Sequence, residues 1–216
     1  MFYLRYSTDG VKKLLKSFMQ IIIRKPEVTS KYKSRILNNH IFNRVFGTLT
    51  CFTTDFSNIR RLLVLDRDNT LIWDNGYTFK INDLLIIEEN IEYLLKLQKT
   101  GWGFVVFTNQ SAIARGFCSE DDVQNFNAHL VESFAKRGVN ISAVVYCGHL
   151  RFCYCRKPSP GMLYRILLET RISRDKVVVL GDKQSDVNAG ERLGIEGYLF
   201  TLLESPEIFN KLMAKK

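Results

Sequence analysis

Two aspartates at the end of one short apolar run are the residues of this chain best suited to chemistry. Leu62–Leu65 is continuously apolar, as expected of a strand buried on both faces of a parallel sheet, and it leads directly into Asp66 and Asp68. At the carboxyl end of such a strand, both carboxylates can face the crevice in which open α/β sheets bind ligands. Adjacent carboxylates repel each other, so the pair needs a shared proton or a hard cation such as Mg²⁺.

Later segments place further polar residues in the order that such a site would need. They are Thr108-Asn109 at the end of an apolar run, Arg156-Lys157-Pro158 before a predicted helix, and Val177–Gly181 leading into Asp182 and Asp186. With the two aspartates, they resemble the four motifs of the haloacid dehalogenase-type phosphohydrolases over residues 62–203. The resemblance implies an α/β fold with a doubly wound, Rossmann-like parallel sheet.

The resemblance also implies a phosphatase that works through a covalent intermediate. Asp66 would attack phosphorus to form an aspartyl-phosphate, and Asp68 would protonate the leaving alcohol and later deprotonate the attacking water. Thr108 would hydrogen-bond the transferring phosphoryl group, and Lys157 would supply positive charge to that group and to Asp66. A second acid favours a phosphatase over a dehalogenase, because a halide leaving group needs no proton.

A catalytic Mg²⁺ ion follows from the same resemblance. Asp66, the main-chain carbonyl of Asp68, and Asp182 would hold the ion, whose charge lets a carboxylate approach a phosphate dianion. Asp186 would support the metal-binding loop from behind.

More detailed matches resemble the D-glycero-D-manno-heptose 1,7-bisphosphate 7-phosphatases, to which the histidinol-phosphatases are closely similar. The matching segments are residues 74–77, 108–111, 113–116, 155–158, 160–163 and 181–183. The implied substrate contacts are Asp74, Asn75, Gly76, Tyr77, Asn109, Gln110, Ser111, Arg156 and Lys183. Arg156 offers a bidentate fork for the phosphate that does not react. Histidinol phosphate or another small phosphomonoester is the alternative substrate.

Two residues depart from the pattern of this family at positions that usually hold glycine. They are Asn69 and Ala112. Asparagine is among the residues that best tolerate a positive φ, so the first change should preserve the backbone conformation. We expect the second change to alter the substrate loop.

Three of the five cysteines lie within nine residues of one another. Cys147-x-His149 and Cys153-x-Cys155 offer four ligands suited to tetrahedral Zn²⁺. The family resemblance implies the same arrangement as a structural zinc loop, although the family's insert is usually longer than residues 150–152. Zinc would shape the loop before the phosphate-binding arginine and take no part in the chemistry. Unliganded thiols are the alternative.

The net charge of +9 is concentrated near the N-terminus. Residues 1–61 hold 12 Lys or Arg against 3 acids, whereas residues 62–216 hold 19 of each, which gives no electrostatic reason to expect nucleic acid at the site. Within residues 11–25, apolar residues at helical spacing opposite lysines predict a basic amphipathic helix. It would dock on its own domain, on a partner protein or on a membrane surface. A non-catalytic interaction protein that uses this extension is the alternative from another functional class.

The chain divides into a basic extension at residues 1–58, ending in a linker at 47–58, and a phosphatase domain at 59–216. The predicted strands are 62–66, 103–108, 141–146, 177–181 and 195–200, and the helices between them are 88–100, 119–137, 160–170 and 185–193. The segments that connect these strands and helices are too short to hold a cap domain, so the site should be open. The extension should be dispensable for chemistry. With no membrane span of roughly 20 apolar residues and no signal cleavage site, we expect a cytoplasmic protein. The resemblance implies a small phosphorylated sugar as its partner molecule, and we expect the chain to be a monomer.

Overall fold

A six-stranded mixed sheet forms the centre of the fold. The computed structural model describes residues 40–53, 55–201 and 205–215. The strands are β1 (Thr48–Cys51), β2 (Arg61–Leu65), β3 (Trp102–Asn109), β4 (Ile141–Cys147), β5 (Val177–Gly181) and β6 (Glu196–Leu199), in the order β1-β4-β3-β2-β5-β6. Strands β2 to β6 run parallel, and β1 pairs antiparallel with β4 at one edge.

Helices cover both faces of this sheet. The described helices are α1 (His40–Phe46), α2 (Ile91–Lys99), α3 (Glu120–Ala135), α4 (Gly161–Thr170), α5 (Gln184–Glu191) and α6 (Ser205–Ala214). Alternate residues of β2 enter opposite cores, since Leu63 and Leu65 pack with α2, α3 and α6, whereas Leu62 and Val64 pack with α4 and α5. The doubly wound prediction is therefore confirmed for the parallel strands.

The direction of winding reverses beside β2. The chain passes from β2 to β3 and β4 on one side and returns to β5 and β6 on the other, so β2 and β5 are neighbours that end together at Leu65 and Leu180. Ligands of such sheets bind at this kind of switch point. Between β2 and α2, the chain forms only turns, isolated bridges and the short 3₁₀ helices Ile81–Asp83 and Glu88–Asn90. That stretch therefore contains no cap domain, as predicted.

The sequence prediction located the elements well but misjudged the edge of the sheet. The predicted helix opened by Ser119 is α3, and the Ser119 hydroxyl caps it by accepting from the Asp122 amide at 3.1 Å. The linker interpretation of residues 47–58 is wrong at Thr48–Cys51, which forms β1. The helix α6 was not predicted.

The N-terminal part of the described chain belongs to the same compact unit as the sheet, which spans His40–Lys216. The predicted amphipathic helix at 11–25 lies outside the described residues, so the division into an extension and a phosphatase domain stays a prediction. Within the described ranges, no helix is long and apolar enough to cross a membrane.

Candidate active site

A buried lysine holds the first aspartate after β2. Asp66 is almost fully buried, and its Oδ1 accepts a hydrogen bond from Lys157 Nζ at 2.6 Å. The same Nζ lies 2.6 Å from Asp186 Oδ1 and donates to the carbonyl oxygen of Phe107 at 3.0 Å. Three oxygens thus surround the three hydrogens of this ammonium group. Lys157 therefore orients Asp66. A direct hydrogen bond from Lys157 Nζ to a phosphoryl oxygen would require the release of one of these three oxygens.

Negative charge exceeds positive charge around this lysine. Carboxylate oxygens of Asp66, Asp182 and Asp186 lie within 4.8 Å of one another. Burial raises the pKa of Asp66 to about 7, an effect that Lys157 opposes and that Asp186 and Asp68 reinforce. For Lys157, burial opposes the charged form, but Asp66 and Asp186 outweigh it and raise the pKa above its ordinary value.

The donor set fits a hard divalent cation. Asp182 Oδ1 is buried and has no hydrogen-bond partner. Asp186 is already engaged, because its Oδ1 faces Lys157 and its Oδ2 accepts from the Lys183 amide at 2.9 Å. Asp66 and Asp182 are therefore the side chains with oxygen to offer, and a cation between them would offset the excess negative charge.

The second aspartate is fixed on both of its oxygens. Asp68 Oδ1 accepts from Arg67 Nε at 2.8 Å, and Oδ2 accepts from Gln110 Nε2 at 3.0 Å. Gln110 Nε2 also donates to Thr108 Oγ1 at 2.8 Å. Because the Thr108 oxygen already accepts this bond, its own hydrogen can be donated to a substrate oxygen.

A cleft of about 420 Å³ opens over these groups. Its lining residues are Asp68, Asp74, Tyr77, Asn109, Gln110, Ser111, Arg156, Lys157, Lys183 and Ser185. Seven of the nine predicted substrate contacts are among them; Asn75 and Gly76 are not. A separate pocket of about 390 Å³ beside Trp73 and Arg137 contains none of the predicted site residues.

Some of these residues also hold the site together. The Asn109 amide pairs with the backbone of Lys157, accepting from its N–H at 3.1 Å and donating to its carbonyl oxygen at 3.2 Å. Asp74 Oδ1 accepts from the amides of Gly76 and Thr78, both at 3.2 Å, and from the Thr78 hydroxyl at 2.6 Å. These bonds close the turn that presents Tyr77 to the cleft.

The predicted backbone conformation of Asn69 is confirmed, and both departures from the family pattern lie close to the site. Asn69 has a φ of 56°, and its Oδ1 accepts from the Asp74 amide at 3.1 Å. Ala112 is buried next to the cleft-lining Ser111. The asparagine therefore keeps the left-handed turn and ties it to the substrate loop.

The predicted zinc ligands converge on one point. Cys147 Sγ lies 3.7 Å from Cys153 Sγ and 3.6 Å from His149 Nδ1, and Cys155 Sγ lies 3.4 Å from that nitrogen. Ligand atoms of a tetrahedral zinc site, with bonds of about 2.3 Å to sulfur and about 2.0 Å to nitrogen, are separated by about 3.5 to 3.8 Å. Cys147 and Cys155 are closer, at 3.0 Å, and all five cysteines are free of disulfides. The cluster fits a tetrahedral metal ion.

Comparison with known proteins identifies the family. A family model described as HAD-hydrolase-like matches residues 154–201. The D-glycero-beta-D-manno-heptose-1,7-bisphosphate 7-phosphatase of Pasteurella multocida (strain Pm70) is 35% identical over 156 residues, which are 68% of this chain and 85% of that protein. The chain belongs to the haloacid dehalogenase-type phosphatases. It is therefore a phosphomonoester hydrolase.

Other relatives of this phosphatase agree with the assignment. The D-glycero-alpha-D-manno-heptose-1,7-bisphosphate 7-phosphatase of Photorhabdus laumondii is 34% identical over 144 residues, covering 62% of this chain and 79% of that protein. The D,D-heptose 1,7-bisphosphate phosphatase from B. bronchiseptica, solved with magnesium and phosphate, is 26% identical at a TM-score of 0.60, covering 64% of this chain and 79% of that chain. A HAD-like protein from Mesorhizobium loti shares the fold, with 24% identity and a TM-score of 0.72 over 82% of this chain and 95% of that chain.

Two residues of the phosphatase site were not predicted from the sequence. Arg67 is fully buried, and besides Asp68 it donates to Asn127 Oδ1 at 3.2 Å and to the Thr78 carbonyl oxygen at 2.7 Å. A charged residue between two aspartates gives no sign of burial, so nothing in the local pattern could have found it. Ser185 was missed as well, although its position beside the predicted contact at Lys183 was a usable signal.

Proposed function

We propose that this phosphatase removes the 7-phosphate of D-glycero-D-manno-heptose 1,7-bisphosphate. The observation that carries the proposal is the pair of cations in the cleft beyond the catalytic lysine, because Arg156 and Lys183 both line it. A bisphosphorylated sugar needs positive charge for the phosphate that does not react. Burial opposes the charge on Lys183, but Asp182 and Asp66 raise its pKa, so the side chain stays cationic. The names of the relatives from Pasteurella and Photorhabdus support the same substrate.

In the proposed reaction, Asp66 is the nucleophile. Lys157 holds its Oδ1, and the other carboxylate oxygen attacks phosphorus. The bond from phosphorus to the sugar oxygen breaks, and the leaving oxygen takes the proton of Asp68. Water then attacks the aspartyl-phosphate and gives its proton to Asp68, and the bond from phosphorus to Asp66 breaks. Phosphate leaves, and both side chains return to their starting states.

Neighbouring groups position the phosphoryl group and the acid for these steps. The Thr108 hydroxyl donates to a phosphoryl oxygen, while Arg67 and Gln110 keep Asp68 aimed at the leaving oxygen. Asp66, Asp182 and the main-chain carbonyl of Asp68 would hold Mg²⁺, which would supply positive charge to offset the repulsion between the carboxylates and the phosphate. The magnesium and phosphate in the relative from B. bronchiseptica support this choice of ion.

We also propose that the cysteine cluster binds structural Zn²⁺. The support is the convergence of three sulfur atoms and one nitrogen atom at separations close to those of a tetrahedral site. All four ligands come from the protein, which leaves no coordination position for substrate. The ion would fix the loop that carries Arg156.

We further propose that the chain acts as a cytoplasmic monomer.

A phosphate-release screen with Mg²⁺ tests the substrate proposal. The panel contains heptose 1,7-bisphosphate in both anomeric forms, histidinol phosphate and mononucleotides. The highest kcat/KM is expected for a heptose bisphosphate, with the product retaining its phosphate at C1. A higher kcat/KM for histidinol phosphate, or removal of the C1 phosphate, would contradict the proposal.

A further inference from the structure

We propose that α1 braces the cysteine loop, residues 147–156, and that Arg44 is a positioning residue for that loop. Arg44 Nη1 donates to the Phe152 carbonyl oxygen at 3.2 Å. The backbone of the same residue makes a second contact, because its carbonyl oxygen accepts from the Tyr154 amide at 2.8 Å. One helical residue therefore holds the loop at two points on either side of Cys153.

The tip of the cysteine loop needs support from outside. Phe152 has a φ of 56°, a left-handed conformation that is energetically costly for a non-glycine residue, and its side chain is 85% exposed. Burial of this residue cannot offset that cost, since the ring lies in solvent. The hydrogen bond from a charged guanidinium group to its carbonyl oxygen stabilises the conformation directly.

The brace continues from the loop into α4. The Tyr154 carbonyl oxygen accepts from the Gly161 amide at 3.1 Å. A side chain at Gly161 would clash with the carbonyl oxygens of Val45 and Tyr154, so α1, the loop and the start of α4 meet in close backbone contact. This contact requires glycine at position 161.

The braced loop carries the proposed phosphate-binding arginine. Arg156 Nη1 donates to the His149 carbonyl oxygen at 3.2 Å, so the direction of its guanidinium group depends on the loop backbone. Through this link, and resting on the proposed function of Arg156, the brace would set affinity for a substrate with a second phosphate. The chemistry at Asp66 should be affected much less, because β2 positions Asp66 and because Lys157, although it follows the loop, is held by the Asn109 amide and by two carboxylates.

The test compares Arg44→Ala and Arg44→Lys with the matched control Arg174→Ala in the full chain. Arg174 makes the same kind of bond far along the chain, from its Nη1 to the Leu193 carbonyl oxygen at 3.3 Å. Arg44 is exposed, so its loss should leave the fold intact. The readouts are amide hydrogen exchange at residues 152–155 and the steady-state kinetics with heptose bisphosphate and with p-nitrophenyl phosphate, which has one phosphate.

Arg44→Ala should speed amide exchange at residues 152–155 and raise KM for the bisphosphate about fivefold, the factor that corresponds to about 1 kcal/mol. The kcat for p-nitrophenyl phosphate should not change, Arg44→Lys should restore most of the loss, and Arg174→Ala should match the wild type. Unchanged exchange at residues 152–155 in Arg44→Ala would overturn the brace. If the wild type does not hydrolyse heptose bisphosphate, only the proposed substrate fails, because the exchange measurement still decides on the brace.

Discussion

The carboxylate centre and the cysteine loop both lie near the carboxyl ends of the parallel strands, but they are held by different means. The carboxylate centre comprises Asp66, Asp68, Thr108, Lys157, Asp182 and Asp186. Asp66, Thr108 and Asp182 of this centre sit at the ends of parallel strands, and its carboxylates are fixed by buried partners such as Lys157. The loop leaves the end of β4 and depends on contacts from α1 and on its cysteine and histidine cluster, which we propose binds zinc.

This difference separates two tasks. Strand ends place Asp66, Thr108 and Asp182 for phosphoryl transfer without the loop. Lys157 directly follows the loop, but the Asn109 amide, Asp66 and Asp186 hold it in place. The loop positions Arg156, which we propose contacts the part of the substrate that does not react. Changes in the centre should therefore reduce turnover of every substrate, whereas changes in the loop should affect bisphosphates selectively.

Replacing Asp66, the proposed nucleophile, should abolish phosphatase activity for all substrates. Asp66→Asn has nearly the same shape but cannot form the aspartyl-phosphate, so kcat should fall by at least about a thousandfold for both heptose bisphosphate and p-nitrophenyl phosphate. The fold should persist, because Lys157 keeps Asp186 as a charged partner. Steady-state kinetics and circular dichroism check both parts. Turnover close to that of the wild type would remove the covalent mechanism.

Removing the buried arginine should damage stability and turnover together. Arg67→Met leaves Asp68 Oδ1, Asn127 Oδ1 and the Thr78 carbonyl oxygen without a donor, so the free energy of unfolding should fall by about 3 kcal/mol. The kcat for both substrates should fall by about a hundredfold because Asp68 loses its orientation. Denaturant unfolding and kinetics measure the two effects, with exposed Arg60→Met as the control. A stable, fully active Arg67→Met would show that Gln110 alone positions Asp68.

The contrast between the two regions also explains what the sequence could reveal. Asp66, Asp68 and Asp182 follow buried apolar strands, and Thr108 lies at the end of another. Parallel strands place their carboxyl ends together, so the convergence of these residues was predictable. Arg67 was not, because its burial depends on Phe126 and Asn127 from α3, which the sequence around the aspartates does not specify.

Loss of one zinc ligand should change substrate affinity more than turnover. Elemental analysis of the wild type should give about one zinc per chain. Cys153→Ser should lower that content and raise KM for heptose bisphosphate about tenfold, while kcat for p-nitrophenyl phosphate stays within about twofold. Cys118→Ser is the matched control, since this isolated cysteine lies outside the cluster. Metal-free wild-type protein with full bisphosphatase activity would contradict the zinc proposal.

Truncation tests the contribution of α1, which forms the brace, and of β1, which the sequence analysis assigned to a linker. A chain that starts at Ile59 lacks α1 and β1, which exposes the edge of β4 and the surface that packs against buried Phe46. Compared with a chain that starts at His40, its free energy of unfolding should be lower by about 2 kcal/mol or more. Its kcat for p-nitrophenyl phosphate per folded molecule should be unchanged. Equal stability of the two chains would restore the linker interpretation.

The edge strand was hard to predict for a physical reason. Thr48–Cys51 has only four residues, is followed by further Thr and Ser residues typical of turns, and buries none of its side chains completely. Its pairing with β4 comes from backbone hydrogen bonds that carry little side-chain signal. The shortened insert at residues 150–152 was visible in the sequence, but its support by Arg44 required the fold.

The most direct test of the division between chemistry and substrate selection uses the variant Arg156→Met. The quantity measured is the ratio of kcat/KM for heptose 1,7-bisphosphate to kcat/KM for p-nitrophenyl phosphate. The substitution keeps the apolar stem and removes the guanidinium group beside the cleft. The kcat/KM for heptose 1,7-bisphosphate should fall about thirtyfold or more, as expected for a lost charge-assisted contact of about 2 kcal/mol. The kcat/KM for p-nitrophenyl phosphate should stay within about twofold of the wild type. An equal loss for both substrates would show that the cysteine loop takes part in the chemistry and would contradict the account.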